Sequence, residues 1–175
     1  MVVDILCVSP SPCTTGVRAG TGCRIQPAFT VQDAMDLAYL TGQRPADVLK
    51  LQRSDIRNGV LWLTQGKTGK KLRIEVTGEL AAVITRMQER TRKATGLWLI
   101  QDEKGQRLTY FALRSRFDKA RKASGVSFQF RDIRAKSATD AEDLQYAQKL
   151  LGHKHQTMTQ HYTRNRKGEK VRPLK

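Results

Sequence analysis

The chain holds two adjacent strand-like runs, Val60-Leu-Trp-Leu-Thr64 and Leu72-Arg-Ile-Glu-Val76, set among stretches whose apolar residues repeat at helical spacing. This contrast of periods constrains the fold more than any other feature. Alternation over five residues points to half-buried strands, and the intervening Gln65-Gly-Lys-Thr-Gly-Lys-Lys71 is a polar turn that folds the second run back on the first. Asn58-Gly59 just upstream is a hairpin-type turn signal. Leu97-Trp-Leu-Ile100 is a candidate third short strand. The expected fold is α+β, mainly α-helical with a small antiparallel β-sheet of two to three strands.

The helical stretches carry their own punctuation. Thr30-x-x-Asp33 can open a helix, since a Thr hydroxyl accepts from an early amide and Asp favours the positive end. Val31, Ala34, Met35 and Ala38 follow at helical spacing, and Gly42 closes the run. Pro45 suits a first helical position, so a short helix is expected over 45–51, leaving Arg44 in the tight turn between the two. A helix from 78 to about 92 shows Leu80, Val83, Ile84 and Met87 on one face. Another runs over 109–123, with Phe111 or Leu113 and Phe117 inward, and two or three short helices are expected over 130–162. Trp62 and Trp98 are expected in the core.

Charge separates the partners the chain can have. Thirty-two Lys and Arg against 16 Asp and Glu give +16 in 175 residues. That points to a polyanion, of which nucleic acid is the usual one, although a merely basic surface has the same charge. Hydrophobic residues at 39% suffice for a core at this length. No apolar run approaches the roughly 20 residues a membrane span needs. Cys7, Cys13 and Cys23 are odd in number, form no CxxC and have no His nearby, so neither a disulfide framework nor zinc is expected, and the compartment reads as reducing and cytoplasmic. Residues 1–28 are Pro-, Gly- and Ser-rich without a sustained period and read as an irregular lead-in to a domain over 29–165; residues 166–175 read as a basic tail.

Six further positions are each unremarkable alone. Arg44 could be a surface residue, Lys67 a solvated turn tip, His153 a helix C-cap and Tyr162 a ring that anchors its helix, while Arg131-Asp-Ile-Arg134 could lie on phosphates as a basic helix face. Their order is another matter. Thr41-Gly-Gln-Arg44, Gly66-Lys67-Thr68, Arg131-x-x-Arg134, Leu150-Leu-Gly-His153 and Tyr162, nine residues further on, together resemble the catalytic domain of the tyrosine recombinases, the phage integrase family, over about residues 30–165.

The resemblance implies DNA cleavage and rejoining through a covalent 3′-phosphotyrosine, for integration or excision of a mobile element. Attack on a phosphodiester puts extra negative charge on the nonbridging oxygens, and fixed cationic donors aimed there are the largest available catalytic term. Arginine suits this, with a planar fork and a proton it does not give up. The resemblance makes Arg44 and Arg134 the clamp, His153 a donor to the same oxygen or a proton-transfer aid, Tyr162 the nucleophile and Lys67 the acid that protonates the leaving 5′-oxygen. Asp47 would orient Arg44. Lys70, Lys71 and Arg73 extend a basic hairpin that could lie on DNA. Neither cofactor nor metal is expected.

One position departs from the family, which usually has His where this chain has Arg131. A permanent cation can bind phosphate but cannot take the Tyr162 proton at neutral pH. The implied partner is double-stranded DNA, with a tetramer on DNA and a monomer when free. Residues 1–28 are too short for the family's N-terminal clamp, so the chain is expected to be a catalytic fragment, a degraded prophage copy or a product of altered reading frame. Two other readings stay open: an inactive DNA-binding remnant, and a type IB-like topoisomerase. DNA binding should be weak and salt-sensitive. If six phosphates are neutralised, affinity measured by anisotropy falls about 10³-fold between roughly 50 and 200 mM salt; a flat profile would remove the phosphate-dominated surface.

Overall fold

In the computed structural model, which describes residues 27–91 and 96–163, Asn58 and Gly59 take positive φ (50° and 73°) and close a two-residue hairpin between β1 (Ile56–Arg57) and β2 (Val60–Thr64). β3 (Lys71–Glu75) pairs antiparallel with the other side of β2, giving the order β1-β2-β3. The register sets Leu61 opposite Ile74 and Leu63 opposite Leu72, which together form the inward face of the sheet. Because side chains alternate, Trp62 is turned outward by the same register that buries its neighbours. It is 47% exposed, with the Arg73 guanidinium 5.2 Å over its ring, so the expectation of a core Trp62 is corrected.

Helix α1 (Pro27–Thr41) is the centre of the packing. It contacts α2 (Pro45–Val48), α3 (Gly78–Arg90), α4 (Tyr110–Ala123) and α5 (Phe130–Asp140). A helix touched on so many sides must be apolar nearly all round, and Val31, Ala34, Met35, Leu37 and Ala38 are all buried. It begins at Pro27, so Thr30 lies inside it and is buried instead of capping it. Leu80, Val83, Ile84 and Met87 of α3 face inward as expected. At the edge of the same contact Arg86 holds Asp33 and Asp36 at 2.8 and 2.7 Å, and Arg90 holds Asp33 at 3.0 Å. On α4, Leu113 and Phe117 turn inward while Phe111 is 80% exposed, and Phe117 packs edge-on against Phe128 and Phe130.

Three short helices complete the described residues as expected: α5, then α6 (Leu144–Leu151) and α7 (Gln156–Thr163). The expected helix over 45–51 is only one turn long. The third strand is Ile56–Arg57 and not the run at 97–100, where Leu99 and Ile100 are buried but only isolated bridges, Gln52 to Trp98 and Gln101 to Arg107, form. A four-residue apolar run buries equally well as strand or as irregular chain, so periodicity could not separate them. The helix expected to reach about residue 92 ends at Arg90, while the lead-in before Pro27 with its three cysteines and the basic tail lie outside the described residues. No helix among the described residues is long and apolar enough to cross a membrane.

Leu37, fully buried in α1, is the test of this core. Leu37→Ala should cost about 2–5 kcal/mol in urea unfolding. Leu97→Ala, at a side chain 68% exposed, should stay within about 0.5 kcal/mol.

Candidate active site

Two helices end at glycines, and their terminal carbonyls seat an arginine. After α1, Gly42 takes φ +63°, and after α6, Gly152 takes φ +69°. Left-handed glycines end helices without a Cβ penalty. The carbonyls left unpaired there carry the negative end of the helix dipole. The Gly42 carbonyl accepts from Arg134 Nη1, and the Leu151 carbonyl accepts from Nη2 at 2.7 Å. Arg134 comes from the inward face of α5, beside Ile133, Ser137 and Ala138, and is 5% exposed.

Arg134 Nη2 also lies 3.3 Å from His153 Nε2. Arginine only donates, so Nε2 carries the lone pair and the ring proton is on Nδ1. Nδ1 donates to Thr159 Oγ1 of α7 at 3.0 Å. His153 is buried, and burial, then the charges of Arg134, Arg44 and Lys70, push its pKa down to about 4. Three residues after Thr159, Tyr162 stacks on the imidazole with centroids 5.5 Å apart and planes 28° apart. Its phenol is close enough to influence the Arg134 charge. Burial first, then the neighbouring Arg44 charge, lowers Arg134 to about 10, with Tyr162 and Asp47 opposing the fall. The guanidinium is therefore still charged at neutral pH.

Arg44 is the N-cap of α2, held extended (φ −71°, ψ 150°) ahead of Pro45. Asp47, one turn on, has Oδ2 4.0 Å from Arg44 Nη1, while its Oδ1 accepts from the Gly66 amide at 2.8 Å. The carboxylate thus links Arg44 to the turn between β2 and β3. Nη1 of Arg44 and Nε of Arg134 are buried and have no hydrogen-bond acceptor among the described residues. Both guanidiniums act on the same neutral imidazole, with Tyr162 stacked on it, a concentration of positive charge suited to an anion.

Folding brings together Arg44, Asp47, Arg134, His153 and Tyr162, five of the residues singled out in the sequence. Lys67 is exposed near the tip of the turn, where both neighbouring residues are tied to the site. Lys70 and Lys71 are exposed, and the Lys70 charge reaches His153. Arg73 sits on Trp62, on the outward face of the sheet. Arg131 is exposed in the first turn of α5 and lines a separate cleft of about 320 Å³ with Arg114, Arg121 and Tyr110. Among the described residues no three His, Cys, Asp or Glu side chains gather as metal ligands.

Sequence reasoning missed Thr159, Gln43 and Gln65. Thr159 carries no local signal. Gln65 does: it continues the inward alternation of Leu61 and Leu63, and a carboxamide in that series must find partners inside.

The sequence matches the phage integrase family over residues 17–169. It is 36% identical over 152 residues to the integrase of Enterobacteria phage 434, a match covering 79% of this chain and 43% of that protein, so the chain spans less than half the length of this relative. A crystal structure of a lambda integrase dimer bound to a COC′ core site superposes with a TM-score of 0.71 at 32% identity, over 82% of this chain and 45% of that one. A lambda integrase tetramer bound to a Holliday junction gives 0.69 at 29% identity, over 82% and 45%.

The imidazole supplies the test of this electrostatic picture. The charged form of His153 is disfavoured in the folded protein, so its NMR ring resonances should hold neutral-form positions at pH 6 and titrate near pH 4. The sign extends to stability: the contribution of the neutral ring is complete above about pH 6.5 and lost as pH falls toward 4. Titration near 6.5 would mean that the ring is not buried beside Arg134 in solution.

Proposed function

The chain belongs to the phage integrase family, and from that membership we propose that it is the catalytic domain of a site-specific DNA recombinase, cleaving and rejoining duplex DNA for integration or excision of a mobile element. The observation that carries the reading is the gathering of two guanidiniums, Arg44 and Arg134, whose charges both act on His153, with Tyr162 stacked on that imidazole.

In this reading a scissile phosphate enters between the arginines, and its nonbridging oxygens take the free donors. Tyr162 Oη attacks phosphorus. A bond forms from the tyrosine oxygen to the 3′-phosphate, and the bond to the 5′-oxygen breaks. Tyr162 is 38% exposed, so water can receive its proton. The leaving 5′-oxygen takes a proton from Lys67, carried to the site by its turn. His153, neutral and held by Thr159, keeps Nε2 at the oxyanion position, and the approach of a phosphate there favours a protonated ring that donates to it. Rejoining is the reverse: the 5′-hydroxyl attacks the phosphotyrosine and Tyr162 leaves. Bond energy is conserved throughout, so no cofactor is called for.

Arg131 serves as a phosphate contact on the flank, and Lys70, Lys71 and Arg73 as further DNA contacts. Such contacts position the duplex without reading its sequence. On DNA the assembly is a tetramer across two duplexes, by analogy with the lambda integrase tetramer on a Holliday junction, and the protein acts in association with intracellular DNA.

The test is a library of nicked duplexes with randomised cores, incubated with the protein and then denatured; retained covalent adducts are sequenced. Adduct is expected, absent with Tyr162→Phe. Arg44→Ala should slow its formation about 10²–10³-fold, the usual effect of removing one oxyanion donor. DNA binding without adduct would reduce the chain to a binding module, and supercoil relaxation without site preference would indicate a topoisomerase.

A further inference from the structure

Two glutamines are buried against the site, each 1% exposed, and the chemistry above leaves them idle. Gln65 Nε2 donates to Gln43 Oε1 at 2.7 Å and to the Leu151 carbonyl at 2.9 Å. Gln65 Oε1 accepts from Thr68 Oγ1 at 2.7 Å. Gln43 Nε2 donates to the Thr41 and Leu150 carbonyls, each at 2.8 Å. Both carboxamides thus have their donors and acceptors occupied, as complete burial demands.

The course of this network is specific. The Leu151 carbonyl that Gln65 holds is also the carbonyl that Arg134 holds. At its other end Gln65 grips Thr68, the residue after Lys67. On the far side of Lys67, the Gly66 amide is held by Asp47, the carboxylate beside Arg44. Lys67 is therefore flanked by two anchors, one leading to each arginine. The fit is close: a Cβ at Gly152 would come within 2.6 Å of Gln65 Nε2. A leucine at position 65 would continue the inward alternation of β2 with similar bulk but could not grip Thr68.

We propose that Gln65 is a positioning residue for the proton donor: it fixes the Lys67 turn against the Arg134–His153 floor, so that clamp and acid meet one phosphate in a single register. The inference rests on Lys67 being the acid that protonates the leaving oxygen. An exposed lysine on a free turn would sample many positions, and proton transfer requires hydrogen-bonding distance to one oxygen.

The test uses the full chain and a duplex captured from the library, made once with the ordinary phosphodiester and once with sulfur replacing the bridging 5′-oxygen. A thiolate leaves without protonation, so the sulfur substrate bypasses the acid. Gln65→Leu should form adduct about 10²-fold more slowly on the ordinary linkage, the low end of a general-acid contribution. It should match wild type on the sulfur linkage, with DNA affinity unchanged. Thr68→Val, at an exposed residue, cuts the outer contact to Gln65 and a long 3.5 Å bond from the Lys70 amide, leaves the inner glutamine contacts, and should show the same pattern more weakly; it carries the test should Gln65→Leu not fold. Equal slowing on both linkages, or no slowing on the ordinary one, would overturn the proposal. Lys67→Ala separates the two readings: if sulfur does not rescue it, the assignment of the acid fails and this inference with it. If sulfur rescues Lys67→Ala but not Gln65→Leu, only the inference fails.

Discussion

A guanidinium held charged while almost wholly buried is the constraint on which the site depends. Taking such a group out of water costs several kcal/mol unless its protons are paired. Arg134 meets that demand with two helix-terminal carbonyls, Gly42 and Leu151. Each carbonyl is free because its helix stops there, and each helix stops through a glycine at positive φ. The two glycine motifs that flag the site in sequence are thus the two caps that seat one arginine. The distances between α1, α5 and α6 must be held to a fraction of an ångström for this, which explains why α1, packed on so many sides, lies at the centre of the fold.

The cost of gathering like charges shapes the rest. Arg44 and Arg134 repel, and both push the His153 proton off. The imidazole answers by staying neutral, accepting from Arg134 and donating to Thr159. Asp47 offsets part of the repulsion and ties the charge cluster to the hairpin. What remains is a surplus of positive charge around one neutral imidazole. The buried glutamine pair belongs to the same economy, linking the rigid floor to the exposed turn through neutral groups that add no charge.

Much of this was legible in residues whose signals are local. The inward face of α3 follows from Leu80, Val83, Ile84 and Met87, and the hairpin from Asn58-Gly59 and the alternation of β2 and β3. Where a residue's fate depends on what packs opposite, the signal fails. Trp62 has the bulk of a core residue, yet its place in the alternation turns it outward under Arg73. Leu99 and Ile100 are buried without a strand to belong to. Thr30 has the chemistry of a cap but lies inside a helix that begins at Pro27.

The sequence by itself determined which chemistry is available: two arginines, a histidine, a lysine and a tyrosine in an order that marks a family, on a chain whose periods give helices and one small sheet. Only the tertiary structure decided that Arg44, Arg134, His153 and Tyr162 are brought together while Arg131 lines a separate cleft, that the imidazole is neutral, and that Gln65 joins the Lys67 turn to the arginine seat. Periodicity and capping act over a few neighbouring residues and can be read along the chain. Proton positions and electrostatic coupling depend on distances between residues up to about a hundred positions apart, such as the 92 between Gly42 and Arg134, and these exist only once the helices have packed.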